Sequence, residues 1–279
     1  MKRLTLCFAM VAALLMAGCG HEKKEFATRT LAGRQCYQIS FAEELDPWGE
    51  TAGLKKTCSV QWPAEGLLSA AAERELIQLC FGDSTSASID AALQAWLAKP
   101  YVFIEDGTDS DCKPVDTLDE SQEHSYVNIE CTAQNDSVLA TFVVKTESYG
   151  IGAAHGFYTA DYLTVDLESG NAVHLTDLVA DTNQLCEAIA RAIQDLEVNR
   201  DLRECLYDEF RDTDRMPLPG NFVIDSTHSG ITVVYGLYEV QPYACGIPSV
   251  VLPIFWLSKH VELTPYAKRL FGPGSYIEE

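Results

Sequence analysis

Apolar and polar residues alternate with a period of two along several stretches of this chain, and with a helical period along others. Arg34 to Phe41 and Lys56 to Trp62 alternate as half-buried strands do, with a turn at Asp46 to Gly49 between them, and the two are expected to pair. Then the period lengthens. Ser69 to Cys80 predicts a helix capped by Ser69, with Ala72, Leu76, Leu79 and Cys80 on one side and Gly82 as its stop. Ser88 to Lys99 predicts a second, with Ile89, Leu93, Trp96 and Leu97 on one face, ended by Pro100. Residues 105 to 121 are acidic and turn-rich and read as an exposed loop.

A period of two returns at Ser125 to Ala133 and Val138 to Ser148, joined by a hairpin signal at Asn135-Asp136. A glycine-rich stretch from Tyr149 then leads into a strand from Phe157 to Leu167. Neither face of that strand is fully polar, which places it in mid-sheet. Glu168 to Asn171 turns into a short strand, Ala172 to Leu175. Asp181 to Val198 is the strongest helix: Asp181 and Gln184 form a capping-box pattern, and Leu185, Ile189, Ala192, Ile193 and Leu196 make one stripe. A shorter helix, Leu202 to Phe210, follows. Asn221 to Ile224 and Ile231 to Tyr235 predict a hairpin, Leu237 to Ile247 an aromatic loop, and Ser249 to Leu257 a last strand with Pro253 marking a bulge or edge. Thr264 to Phe271 predicts a closing helix. Strands that run together, followed by a helix laid on them, make an α+β fold of antiparallel sheets with helices packed on one face.

The beginning of the chain belongs to an address rather than to this fold. Lys2 and Arg3 precede the apolar run Leu4 to Met16, which ends in Ala17-Gly18-Cys19, as in a signal peptide. L-L-M-A-G-C resembles the bacterial lipobox, with Met16 where leucine is more usual. That resemblance implies cleavage after residue 18 and lipidation of Cys19, and several acyl chains give stable anchoring to a membrane. Gly20 next to it offers no inner-membrane retention signal, so a Gram-negative cell would carry the protein on its outer membrane. The expected organisation is a signal peptide over 1–18, a polar tether over 19–33, and two α+β parts over 34–147 and 148–279.

Of 279 residues, 47% are apolar, which predicts a packed core. Cleavage removes Lys2 and Arg3 and no acids, leaving 18 basic and 41 acidic residues, a net charge of −23. Such a surface repels nucleic acid and steers cationic partners inward; solubility alone is the competing reading. Eight cysteines remain beyond Cys19, and an even number in an exported chain predicts disulfides, with 105 possible connectivities. No C-x-x-C or C-x-x-H spacing points to zinc, and Asp106 to Asp111 lacks the glutamate of a calcium loop, so no metal or cofactor is assigned.

Two blocks carry a family resemblance: Y-G-I-G-A-A-H-G-F-Y with Y-L-T-V-D-L-E-S-G and L-T-D-L-V, and G-I-T-V-V-Y with Y-E-V-Q-P-Y-A-C-G-I-P-S-V-V-L-P. They resemble the RsiV C-terminal-like domain family. It takes in extracellular domains of an anti-sigma factor, of PdaC-type polysaccharide deacetylases and of many bacterial lipoproteins. The resemblance covers roughly residues 145 to 258, and residues 34 to 147 are similar in layout to the domain that precedes it in those proteins. This chain has neither a sigma-binding segment nor a deacetylase domain. What the resemblance implies is therefore an extracytoplasmic binding module, whose partner is a lysozyme-like basic protein or a cell-wall ligand such as peptidoglycan.

The candidate ligand-binding residues are Tyr149, His155, Tyr158 and Tyr162 in the first block, and Tyr238 and Tyr243 in the second. Aromatic side chains bury large areas at low entropic cost and so anchor interfaces. His155 is the one candidate for acid–base chemistry, in a wall-glycan hydrolase or esterase, but a base needs an orienting partner and no G-x-S-x-G is present. The structural reading is that His155 bonds to backbone in a tight loop between Gly152 and Gly156. No catalytic residue is assigned. A purely structural envelope protein is the third reading.

Overall fold

The computed structural model describes residues 26–40, 52–100, 111–119 and 122–272. The expected signal peptide, the expected lipidation site Cys19 and the predicted Asp46 to Gly49 turn lie outside the described residues. Alternation does its work first in the paired strands β1 (Thr28–Ser40) and β2 (Ala52–Pro63), which run antiparallel as expected. β1 begins at Thr28, so the last part of the predicted tether is strand. Its residues look polar, but Leu31 and the preceding Phe26 pack on the core.

Helices α1 (Ala70–Phe81) and α2 (Ile89–Ala98) start where serine can cap them: Ser69 accepts from the N–H of Ala72, and Ser88 from that of Ala91. They lie on one face of the sheet, against Cys58, Val60, Trp62, Ile129, Phe142 and Val144. The acidic stretch read as loop contains a short edge strand, β3 (Asp111–Val115), whose Pro114 an edge tolerates. β4 (Glu123–Asn135) and β5 (Leu139–Tyr149) form the predicted hairpin, and β6 (Phe157–Asp166) pairs with β5. The sheet order is β3-β1-β2-β4-β5-β6, antiparallel throughout except that β4 lies parallel to β2. The two helices supply the crossover that a parallel pair requires.

β6 is therefore an edge strand and not the mid-sheet strand expected. Its outer edge is covered because the second half of the chain docks beside it. Asn221 works as a splice, accepting from the N–H of Tyr162 (3.0 Å) and donating to the carbonyl of Ala160 (2.9 Å). The sheet also runs across residue 148, where the two parts were expected to meet. The turn after β6 needs Gly170: its φ is +71°, and a Cβ there would stand 2.8 Å from the carbonyl of Leu67.

The second layer holds a separate core. After the turn, Ala172 makes only an isolated bridge to Val165, and α3 (Leu175–Leu178) replaces the expected short strand. α4 (Thr182–Asp195) is capped by Asp181, which accepts from the N–H of Asn183 at 2.8 Å. The predicted Leu202 to Phe210 helix is two short ones, α5 (Arg200–Cys205) and α6 (Asp208–Arg211). β7 (Asn221–Ile224), β8 (Gly230–Val234) and β9 (Ser249–Pro253) form a three-stranded antiparallel sheet. The chain leaves β9 at Pro253 as α7 (Ile254–Leu257), and α8 (Pro265–Phe271) closes it. The stripe of α4 packs with Ile231, Val233, Val250 and Leu252 of this sheet. Two sheets and eight helices among the described residues make the fold α+β. Among those residues no helix is long and apolar enough to cross a membrane.

Candidate functional site

Strand register sets out the candidate site. Tyr126 on β4 lies opposite Tyr149 on β5, and Asn128 opposite Glu147, which in turn pairs with Tyr158 on β6. Facing partners point to the same side of a sheet. These residues thus share one face, opposite the one covered by α1 and α2. Against the end of that face comes the loop between β8 and β9, carrying Tyr238 and Tyr243.

His155 sits at the junction. Its ring stacks on Tyr243 with centroids 4.1 Å apart, and Tyr243 is stacked on Tyr238 at 5.7 Å and edge-on to Tyr158 at 5.6 Å. The hydrogen bonds fix a tautomer. The Gly156 carbonyl, 2.9 Å from Nδ1 of His155, can only accept, so Nδ1 carries the proton. Nε2 is then the acceptor for the Tyr238 hydroxyl at 3.2 Å. The same carbonyl accepts from the Tyr243 hydroxyl at 2.7 Å, so both its lone pairs are used. The imidazole bonds a backbone carbonyl and a phenol. Neither of these partners is a carboxylate, the group that would orient a catalytic base.

What this arrangement presents to solvent is aromatic. Tyr126 and Tyr238 are 42% and 49% exposed, and His155 is exposed with them. The loop beneath is held firmly. A Cys205–Cys245 disulfide ties it to α5, and buried Gln241 donates to the carbonyls of Cys245 and Gly246. Tyr238 is held at φ +65°, a conformation that persists only where neighbours enforce it. A groove of about 190 Å³ opens beside Tyr158, lined also by Asp161, Tyr235 and Glu239. Burial pushes the Asp161 carboxyl up, against the hydrogen bond from Thr159 that lowers it.

The structure thus gathers His155, Tyr158, Tyr238 and Tyr243. Tyr149 borders them, stacked on Tyr126 at 6.3 Å, while its hydroxyl donates to Ala153 within its own loop. Tyr162 is not part of the group. Four residues further along β6, about 13 Å from Tyr158 at strand rise, it lines a different cavity of about 500 Å³ with Arg74, Glu75 and His174. Tyr235, three residues before Tyr238, is buried and donates to the Pro217 carbonyl. Tyr126 was missed. Its signal was there: an aromatic residue on the polar face of an alternating strand, beside Asn128 and Glu130. Among the described residues no group of three or more His, Cys, Asp or Glu side chains is placed to hold a metal ion.

Residues 176–254 match the family model described as a protein of unknown function, DUF3298. No curated protein matches the chain. Two solved structures share the fold. One is a DUF3298 family protein from Pseudomonas aeruginosa PAO1, with 14% identity, TM-score 0.52, 88% of this chain and 97% of that one covered. The other is a DUF3298 family member from Bacteroides fragilis NCTC 9343, with 16% identity, TM-score 0.52, and 88% and 98% covered.

Proposed function

We propose that this protein is a lipid-anchored binding module of the bacterial cell envelope, on the RsiV C-terminal-like plan, that docks a cationic, lysozyme-like protein on its aromatic patch. The exposed cluster around the stacked His155–Tyr243 pair carries the reading. Its aromatic faces are rigid, pre-positioned and left open to solvent, which is what an interface anchor requires. The strong excess of acidic residues would speed encounter with a basic partner, and Glu147 stands within the patch. A cell-wall ligand such as peptidoglycan is the other occupant this surface suits, since sugar rings also stack on tyrosine. Lipidation at Cys19 would hold the module at the membrane, on the outer membrane in a Gram-negative cell.

The test is retention of hen-type lysozyme, and separately of soluble peptidoglycan fragments, by the mature chain without its lipid. Binding to lysozyme that weakens as salt rises is expected. No retention at low salt, where attraction is greatest, would sink the protein-docking reading. Retention of the fragments alone would shift the assignment to the wall.

A further inference from the structure

Three cysteines meet in the core of the six-stranded sheet, well away from the aromatic patch. Cys58 on β2 pairs with Ile129, and Cys131 on β4 pairs with Val60. The two thiols are thus diagonal neighbours on the face that the helices cover. Cys80, in the last turn of α1, comes down onto them from the helix layer with the inward-facing Ala72, Leu76 and Ile77. Cys80 and Cys131 are 2% and 1% exposed, and their thiols are in hydrogen-bond contact. Buried thiols far from any metal cluster usually serve as small apolar groups. Cys80 and Cys131 stand as free thiols in this structure, yet they meet in one packed helix–sheet cluster of a chain that also forms Cys205–Cys245, which makes them candidates to pair.

We propose that Cys80 and Cys131 form a second disulfide, made while the chain folds and then sealed beneath α1, which pins the helix layer to the parallel β2–β4 pair. The step is a thiol–disulfide exchange. The thiolate of one cysteine attacks a sulfur of a disulfide oxidant, such as glutathione disulfide, giving a mixed disulfide. The second thiolate displaces the remaining oxidant thiol. One S–S bond forms and one breaks, two electrons pass to the oxidant, and the two protons end on its sulfurs. Once α1 has closed, neither sulfur can be reached, so the bond is made early and resists reductants. Cys245 is exposed, so the loop disulfide opens first. The proposal rests on the export reading only for where the oxidant is met.

The experiment separates the two. The mature chain, reduced and denatured, is refolded in a mixture of glutathione and glutathione disulfide, alkylated, digested without reduction and mapped by mass spectrometry. A Cys80–Cys131 cross-linked peptide is expected, about 2 Da lighter than its two free-thiol parts. Mild reductant on the folded protein should then release Cys205 and Cys245 and leave the inner pair intact. Cys58→Ser should leave the cross-link in place. Alkylation of both Cys80 and Cys131 in refolded, oxidised protein would overturn the proposal, as would a Cys58–Cys131 or Cys58–Cys80 link. A cross-link in the tube that is absent from protein taken directly from cells supports the pairing and counts against export instead.

Discussion

The two ends of β5 are both places where loops of the second layer reach the first sheet, and a histidine serves each. At the turn before β5, Nε2 of His228 lies 2.8 Å from Oδ2 of Asp136, half-buried, joining two hairpins 92 residues apart in sequence. Asp136 is fully engaged there, for its Oδ1 also accepts from the N–H groups of Val138 and Leu139 at 2.6 and 2.8 Å. At the loop after β5, His155 is exposed and bonded to a phenol and a carbonyl, with aromatic faces left over. The partner decides the role. A carboxylate makes the first histidine a latch whose bonding is spent on the fold. A tyrosine stack makes the second part of a surface with capacity to spare.

Breaking the latch should give the largest change in stability. Asp136→Ala removes two charge-assisted backbone bonds and the bond to His228, and is expected to cost about 2–3 kcal/mol in urea unfolding. Binding by the folded fraction should not move. A loss below about 0.5 kcal/mol would mean that the latch is ornamental. The mirror experiment is Tyr238→Ala with Tyr243→Ala. Binding of the cationic partner should fall about 30-fold or more, with little change in unfolding midpoint. If the aspartate change and the double tyrosine change hit stability alike, the two ends are not different in kind.

Acid sharpens the same contrast. Burial works to raise the Asp136 pKa but is outweighed by the Leu139 and Val138 N–H groups and by His228, so the carboxyl is held below its ordinary value. Its contribution to stability is present above the unfolded pKa, near 3.9, and fades as pH falls through the lower folded value. Asp136→Asn should flatten the acid limb of the stability curve below about pH 4. Identical acid limbs in the two proteins would remove the carboxylate from the account.

Much of this was legible before folding was considered. Alternation found β4, β5 and β6, serine and aspartate caps found α1, α2 and α4, and aromatic residues in two blocks marked four members of the patch. What escaped depends on distant partners. β1 extends back to Thr28, where Leu31 packs on the core that the strands share with the helices, which no local pattern announces. Lys56 reads as an ordinary polar residue at the start of a strand. It is 1% exposed, donates to the carbonyls of Trp96 and Lys99 at the end of α2, and lies 3.9 Å over the Trp96 ring. Burial lowers its pKa to about 8. Cys205–Cys245 is one pairing that eight cysteines cannot reveal, and Asp136–His228 joins turns that composition would each call exposed.

His155→Phe is the smallest change and the most discriminating. Phenylalanine keeps a ring to stack on Tyr243, so the aromatic contact, typically about 0.5–1.5 kcal/mol, survives. The Gly156 carbonyl keeps its bond from Tyr243, and the Tyr238 hydroxyl, at an exposed site, turns to water. The net loss should stay near 0.5 kcal/mol, about a twofold weakening of binding. His155→Ala deletes the stack too and should cost more. That order, alanine worse than phenylalanine and both modest, is what a ring in a surface predicts. A hydrolase reading predicts the reverse: turnover of peptidoglycan fragments that phenylalanine abolishes as completely as alanine, because the proton on Nδ1 and the lone pair on Nε2 are then the function. Measuring binding and turnover on both variants decides between a histidine used for its shape and one used for its proton.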